Sequence, residues 1–263
     1  MAIACSQVCQ FWRNVALHTA PLWTTIDLRH SGCEVFADRS LILPIHLAIT
    51  DDDANNTGPY GGAYYRRVRP VWLHPHTNRV QSITLRGSRQ TLENVMSCLG
   101  TDLSALLSMQ IAFSSRNDPL GVFQLHAPKL RQHAPNLQCL DLCSVRMDLR
   151  ECNDLTHLAL ERGGIPAFEL MSLLSGSPRL RGLSLINLTL ECWYDVAHDW
   201  VIDLVHLETL RLEHIGQKTK EYLMAHVHIP SSAPLFSGWH NLPRDAARVT
   251  RPMAMYSKSL RIW

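Results

Sequence analysis

"LQCLDL", residues 137–142, sets Leu137, Leu140 and Leu142 in an L-x-x-L-x-L frame. In an extended chain alternate side chains point to opposite faces. Leu140 and Leu142 then share one face, while Cys139, Asp141 and Cys143 share the other. The spacing predicts a short strand with an apolar back and a polar front. The same frame returns as "LTHLAL" at 155, "LRGLSL" at 180 and "LETLRL" at 207. With apolar substitutes it also occurs as "VQSITL" at 80 and as Leu106 followed by "LSMQI".

The six starts are 18 to 31 residues apart, scattered around the roughly 20–29 residues of a leucine-rich repeat. A single unit of this kind cannot bury its own apolar edge, so neighbours stack and share one core. Helical signals fill the intervals. Leu92, Val95, Met96 and Leu99 stand at i, i+3, i+4 and i+7, with Gly100 placed as a stop. "IPAFELMSLLSGSP" places Pro166 near a helix start and Gly176 past its end. "TKEYLMAHVHIP" reads as a short helix closed by Pro230. Strands alternating with helices predict an α/β fold: an irregular leucine-rich-repeat solenoid, horseshoe-like, with right-handed crossovers and a parallel sheet on its concave face. The position that often carries Asn in such repeats holds Ser88, Val145, Gly163, Leu188 and Ile215. Without an Asn ladder, either the strands run on, as "CSVRM" and "INLTL" read, or the curvature varies.

Upstream, Trp23, Ile26 and Leu28 in "LWTTIDL" and Leu43, Ile45, Leu47 and Ile49 in "LILPIHLAI" extend the strand pattern. Residues 2–18 place Cys5, Val8, Trp12, Val15 and Ala16 on one helical stripe that Pro21 ends. If this helix serves only as the cap that a solenoid's first repeat requires, Val8, Trp12 and Val15 are expected to pack against the Trp23/Ile26/Leu28 strand, about 1.5–3 kcal/mol each.

"SQVCQFWRNVALHTAPLWTTIDL" resembles the C-terminal part of an F-box and its linker, as found in the fungal F-box/leucine-rich-repeat family. That family reads roughly V-C-x-x-W-R-x-x-A and then T-x-P-x-L-W. Val8, Cys9, Trp12, Arg13, Ala16, Thr19, Pro21, Leu22 and Trp23 supply the pattern, with Pro21 one residue nearer than usual. "ADRSLILPIHLAI", "LHPHTNRVQSITL", "LETLRLEHI" and "HVHIP" also match its habit, so the resemblance spans about residues 6–230. It implies an F-box-like helical module at 1–22, irregular repeats over 23–230 with an insertion at 51–70, and a mostly irregular tail at 231–263. Family members open on an L-P-x-E-type segment and two further helices; here the likeness begins past them, so the module is expected to be truncated at its N-terminal side. The implied function is that of a substrate receptor in a Skp–cullin–F-box ubiquitin ligase, serving ubiquitin-dependent degradation. Val8, Cys9, Trp12, Arg13, Pro21, Leu22 and Trp23 would dock the Skp-type adaptor, which links to the cullin scaffold. The rival expectation is a stand-alone leucine-rich-repeat scaffold with no ligase connection.

The target protein is expected on the polar front of the sheet. Alternation places there Ser82, Thr84 and Arg86; Ser108 and Gln110; Cys139, Asp141 and Cys143; His157, Ala159 and Glu161; Gly182, Ser184 and Ile186; and Thr209, Arg211 and Glu213. Arg86, Gln110, Asp141, His157, Glu161, Ser184, Arg211 and Glu213 are the candidate contacts.

Composition narrows the remaining classes. A formal charge of +2 gives no reason to expect a polyanion partner. Tyr64, Tyr65, Arg66, Arg67 and Arg69 could stack on bases and pair phosphates, but no second basic patch supports them, and a solvated insertion is the preferred reading. No apolar run is long enough to span a bilayer and no signal-peptide pattern opens the chain. Eight cysteines without a C-x-x-C point to reduced thiols in a cytoplasmic or nuclear protein. Cys139 and Cys143, about 13 Å apart on a strand, are too far apart to share a zinc ion. Pro75 separates His74 from His76, and no nucleophile, P-loop or calcium-loop motif occurs. No cofactor, metal or enzymatic activity is expected.

Overall fold

The structure, a computed structural model, describes residues 9–29, 32–50, 71–99, 102–114, 121–125, 130–150, 152–191, 201–230, 233 and 235–236. The expectations placed on Cys5, Val8, the 51–70 insertion, Gly100 and nearly all of the 231–263 tail fall outside those residues.

The chain is α/β with a parallel central sheet. Its strands are β1 (Thr25–Asp27), β2 (Ile45–Thr50), β3 (Val80–Gly87), β4 (Ser108–Phe113), β5 (Phe123–Gln124), β6 (Cys139–Cys143) and β7 (Val145–Arg146). They continue with β8 (His157–Pro166), β9 (Gly182–Glu191), β10 (Ile202–Asp203), β11 (Thr209–Glu213), β12 (Val227–His228) and β13 (Leu235–Phe236). Among the described residues nine of them pair in the order β1-β2-β3-β4-β6-β8-β9-β11-β13, every neighbour parallel. Each strand is laid beside the one before it in the chain, and two short pairs, β5 with β7 and β10 with β12, lie apart.

Register turns the leucine frame into ladders. Ile26, Leu47, Ile83, Met109, Leu140, Leu158, Leu183 and Leu210 face one another strand by strand, none more than 4 % exposed. Two residues on, Ile49, Leu85, Ile111, Leu142, Leu160, Leu185 and Leu212 form a second ladder, equally buried. The leading leucines Leu106, Leu137, Leu155, Leu180 and Leu207 close the core beneath them. Each such side chain contributes about 1.5–3 kcal/mol by leaving water.

Beyond the fifth strand position the chain turns a corner. Ser144, Arg162, Asn187 and His214 follow Cys143, Glu161, Ile186 and Glu213, and all four hold φ between 51 and 58. After that left-handed residue Val145, Leu188 and Ile215 re-enter the core. This is how the ladder continues without Asn: β8 and β9 stay paired from Gly163↔Leu188 to Pro166↔Glu191, and β5 pairs with β7.

Helices cover the apolar side. Leu92, Val95 and Met96 of α3 (Arg89–Cys98) are buried, and its N-terminus is capped by Ser88, whose Oγ accepts from the Thr91 amide at 3.3 Å. The short α4 (Leu130–His133) precedes β6. Helix α5 (Ala167–Ser175) starts directly after Pro166, ends at Gly176, and buries Leu170, Met171, Leu173 and Leu174. The helix expected up to Pro230 is shorter: α6 (Gln217–His226) stops where Val227 turns inward to pair with Ile202 as part of β12. The sequence reading also passed over α2 (Cys33–Arg39), whose Cys33 and Ala37 pack on the first strands.

Candidate interaction surfaces

The polar front is ordered into three rows by the same register. Thr25, His46, Ser82, Ser108, Cys139, His157, Gly182 and Thr209 form the first. Asp27, Ala48, Thr84, Gln110, Asp141, Ala159, Ser184 and Arg211 form the second, and Thr50, Arg86, Ala112, Cys143, Glu161, Ile186 and Glu213 the third. All eight residues read as candidate contacts therefore stand on one continuous surface. Only Arg86 among them is exposed; the others are half-buried in the pleat.

Much of this surface is satisfied within itself. Gln110 Nε2 donates to Asp141 Oδ2 at 2.7 Å, and Arg211 forks onto Glu213 through bonds of 2.9 and 2.8 Å. His46 Nδ1 lies 2.8 Å from Ser82 Oγ. The His157 ring is held with Nδ1 3.0 Å from Thr156 Oγ1 and 3.7 Å from Cys139 Sγ. That ring lies over Gly182, where a Cβ would come within 2.7 Å of Cδ2. Alternation alone makes Gly182 an outward small residue; that it seats the imidazole depends on the neighbouring strand.

Burial tunes the titrating groups. It lifts the Asp141 carboxyl above its usual range against the opposing Gln110 bond, with Glu161 adding to the lift. It raises the Cys139 thiol, and together with Glu161 pushes Cys143 up to about 11. It lowers the His157 imidazole. Cys139 and His157 are thus neutral near pH 7, the wrong charge states for a thiolate–imidazolium nucleophile. Among the described residues no three His, Cys, Asp or Glu side chains converge on a metal position.

The second surface is the N-terminal helix α1 (Gln10–His18). Its expected packing does not occur: Trp12 is 50 % exposed and Val15 39 %, and only Ala16 of the helix is buried. The reason lies in α2, which already covers the first strand. Trp23 takes the inner place, 1 % exposed, with its ring centroid 5.1 Å from Phe36 and the Arg39 guanidinium 4.6 Å above it. Trp23, read as a docking residue, thus stands as a buried anchor of the turn between α1 and the first strand. Cys9, Trp12, Arg13, Pro21 and Leu22 are all exposed; Phe11, at 68 % the most exposed aromatic of the helix, had not been singled out. Val8 lies outside the described residues.

No helix among the described residues is long and apolar enough to cross a membrane. The chain matches no family model, no curated protein and no solved structure.

Proposed function

We propose that the chain is a protein-interaction module: an irregular leucine-rich-repeat solenoid that acts as the substrate receptor of a Skp–cullin–F-box ubiquitin ligase. The observation that carries this reading is the unburied apolar face of α1. A nine-residue helix is too short to hold itself together in water, and this one leaves Phe11, Trp12 and Val15 exposed, as is Leu22 in the turn that follows. Large apolar side chains left exposed together on one short helix fit a contact with another protein, and they sit where the F-box-like motif lies. The chain-order parallel sheet supports the solenoid, whose polar front then holds the target. The receptor itself performs no chemistry; it raises the target's effective concentration near the ubiquitin-charged enzyme.

Co-precipitation of the full chain with a purified Skp-type adaptor tests this. Capture is expected, and F11A/W12A should abolish it while leaving the thermal melt unchanged, because both rings are exposed. Absence of capture by the wild-type chain would remove the ligase role and leave the stand-alone scaffold.

A further inference from the structure

At the N-terminal rim of the sheet lies a cleft of about 310 Å³ lined by Gln138, Asp154, Thr156, Arg179, Arg181 and His206. The lining is polar throughout. Gln138, Thr156 and Arg181 each stand immediately before a strand of the sheet, and Asp154, Arg179 and His206 two residues earlier. Their backbone is fixed by the sheet: the Gln138 carbonyl accepts from Thr156 and His157 amides, and the Thr156 carbonyl from Arg181 and Gly182 amides, at 2.8 to 3.0 Å. The side chains project from this fixed base into solvent.

Both arginines already hold a carboxylate, but loosely. Arg179 gives one bond of 3.2 Å to Asp154, and Arg181 one of 3.3 Å to Glu208. All four side chains are more than half exposed. Exposed single-bond pairs of this kind contribute little, and a guanidinium has five donors, so each arginine can exchange its internal partner for an incoming one at small cost. The Gln138 side-chain amide adds a neutral donor beside them, while the Thr156 hydroxyl donates to the Gln138 carbonyl at 3.2 Å.

We infer that this cleft receives acidic side chains of the bound protein, whose carboxylates replace Asp154 and Glu208 on Arg179 and Arg181. The inference rests on the proposed reading that a protein lies on the polar front, since Thr156 and Arg181 run directly into that surface. Asp154 and Glu208 compete for the guanidiniums, so a neutral peptide, which brings no carboxylate to replace them, gains little there.

The test is fluorescence anisotropy at low ionic strength with a labelled peptide of alternating Glu and Ser, its Gln–Ser counterpart, and a phosphoserine–Gly peptide. The Glu peptide is expected to bind and the Gln peptide not. R179A/R181A should weaken binding by about fivefold, as for the loss of two exposed charge pairs. D154N should tighten it, because the competing charge is gone; Asn also tolerates the φ of 61 at this position. Equal binding of Glu and Gln peptides, an unaffected double variant, weaker binding by D154N, or binding of the phosphoserine peptide alone would each overturn the inference. The assay contains no adaptor, so it reads the cleft independently of α1.

Discussion

The indole Nε1 of Trp23 donates to the carbonyl oxygen of Ala16 across 2.7 Å, tying α1 to the 3-10 turn Ala20–Trp23 that leads into the first strand. Both partners are buried, whereas the rest of α1 is not. W23F removes this bond and part of the ring's packing against Phe36, so we expect a loss of about 1–2 kcal/mol. Trypsin should also cut the variant after Arg13 faster than wild type under native conditions. An unchanged cleavage rate would show that α1 is held by other contacts.

Gly182 and His157 form a second coupled pair. G182A drives a methyl group into the imidazole, at an expected cost of about 1 kcal/mol, the low end for overpacking because the ring can rotate. H157A/G182A should recover that loss. Urea unfolding of both single variants and the double variant reads the coupling; a strictly additive cycle would mean the ring does not lie over Gly182.

The left-handed corners predict a difference between two replacements at one site. Arg162 holds φ 58, a region that costs alanine about 1 kcal/mol more than glycine. R162G should therefore unfold at higher urea concentration than R162A. Equal midpoints would place that corner outside the left-handed region.

The pH dependence follows from groups shifted in opposite senses. His46, His76 and His157 are held below the ordinary 6.5, each chiefly by burial, with Arg79 adding to the effect on His76. The unfolded chain therefore takes up protons first, so their contribution is complete above 6.5 and is lost as pH falls toward the folded values. Asp141 runs the other way: its raised pKa means that the charged form costs stability at neutral pH, and that cost fades as pH falls through the folded value toward 3.8. D141N keeps an acceptor for Gln110 without the charge. It should melt higher than wild type at pH 7 and lose the advantage below pH 3.8; a lower melt at pH 7 would mean the carboxylate is stabilised by its surroundings.

Of these features, the strands and their two faces were legible before any coordinates. Leu140 and Leu142 must share a face in any extended chain, and Asp141 must oppose them, because alternation is a property of the backbone itself. The rows of the polar front, including Gln110, Asp141 and Arg211, were legible for the same reason. Pro166 and Gly176 likewise bounded a helix through local rules. The corners at Ser144, Arg162, Asn187 and His214 were not, since none of these residues is glycine and their conformation is imposed by the neighbouring strands.

The two tryptophans draw the line most sharply. The repeat of leucines by itself determined that this chain makes short parallel strands with an apolar back and a polar front. It could not determine that Trp23 is covered while Trp12 stands in water, or that Gly182 makes room for His157. Burial of a side chain depends on which distant segment reaches it. Here α2 brings Phe36 and Arg39 to Trp23 and leaves no place for the helix ring, an outcome that only the packed chain decides.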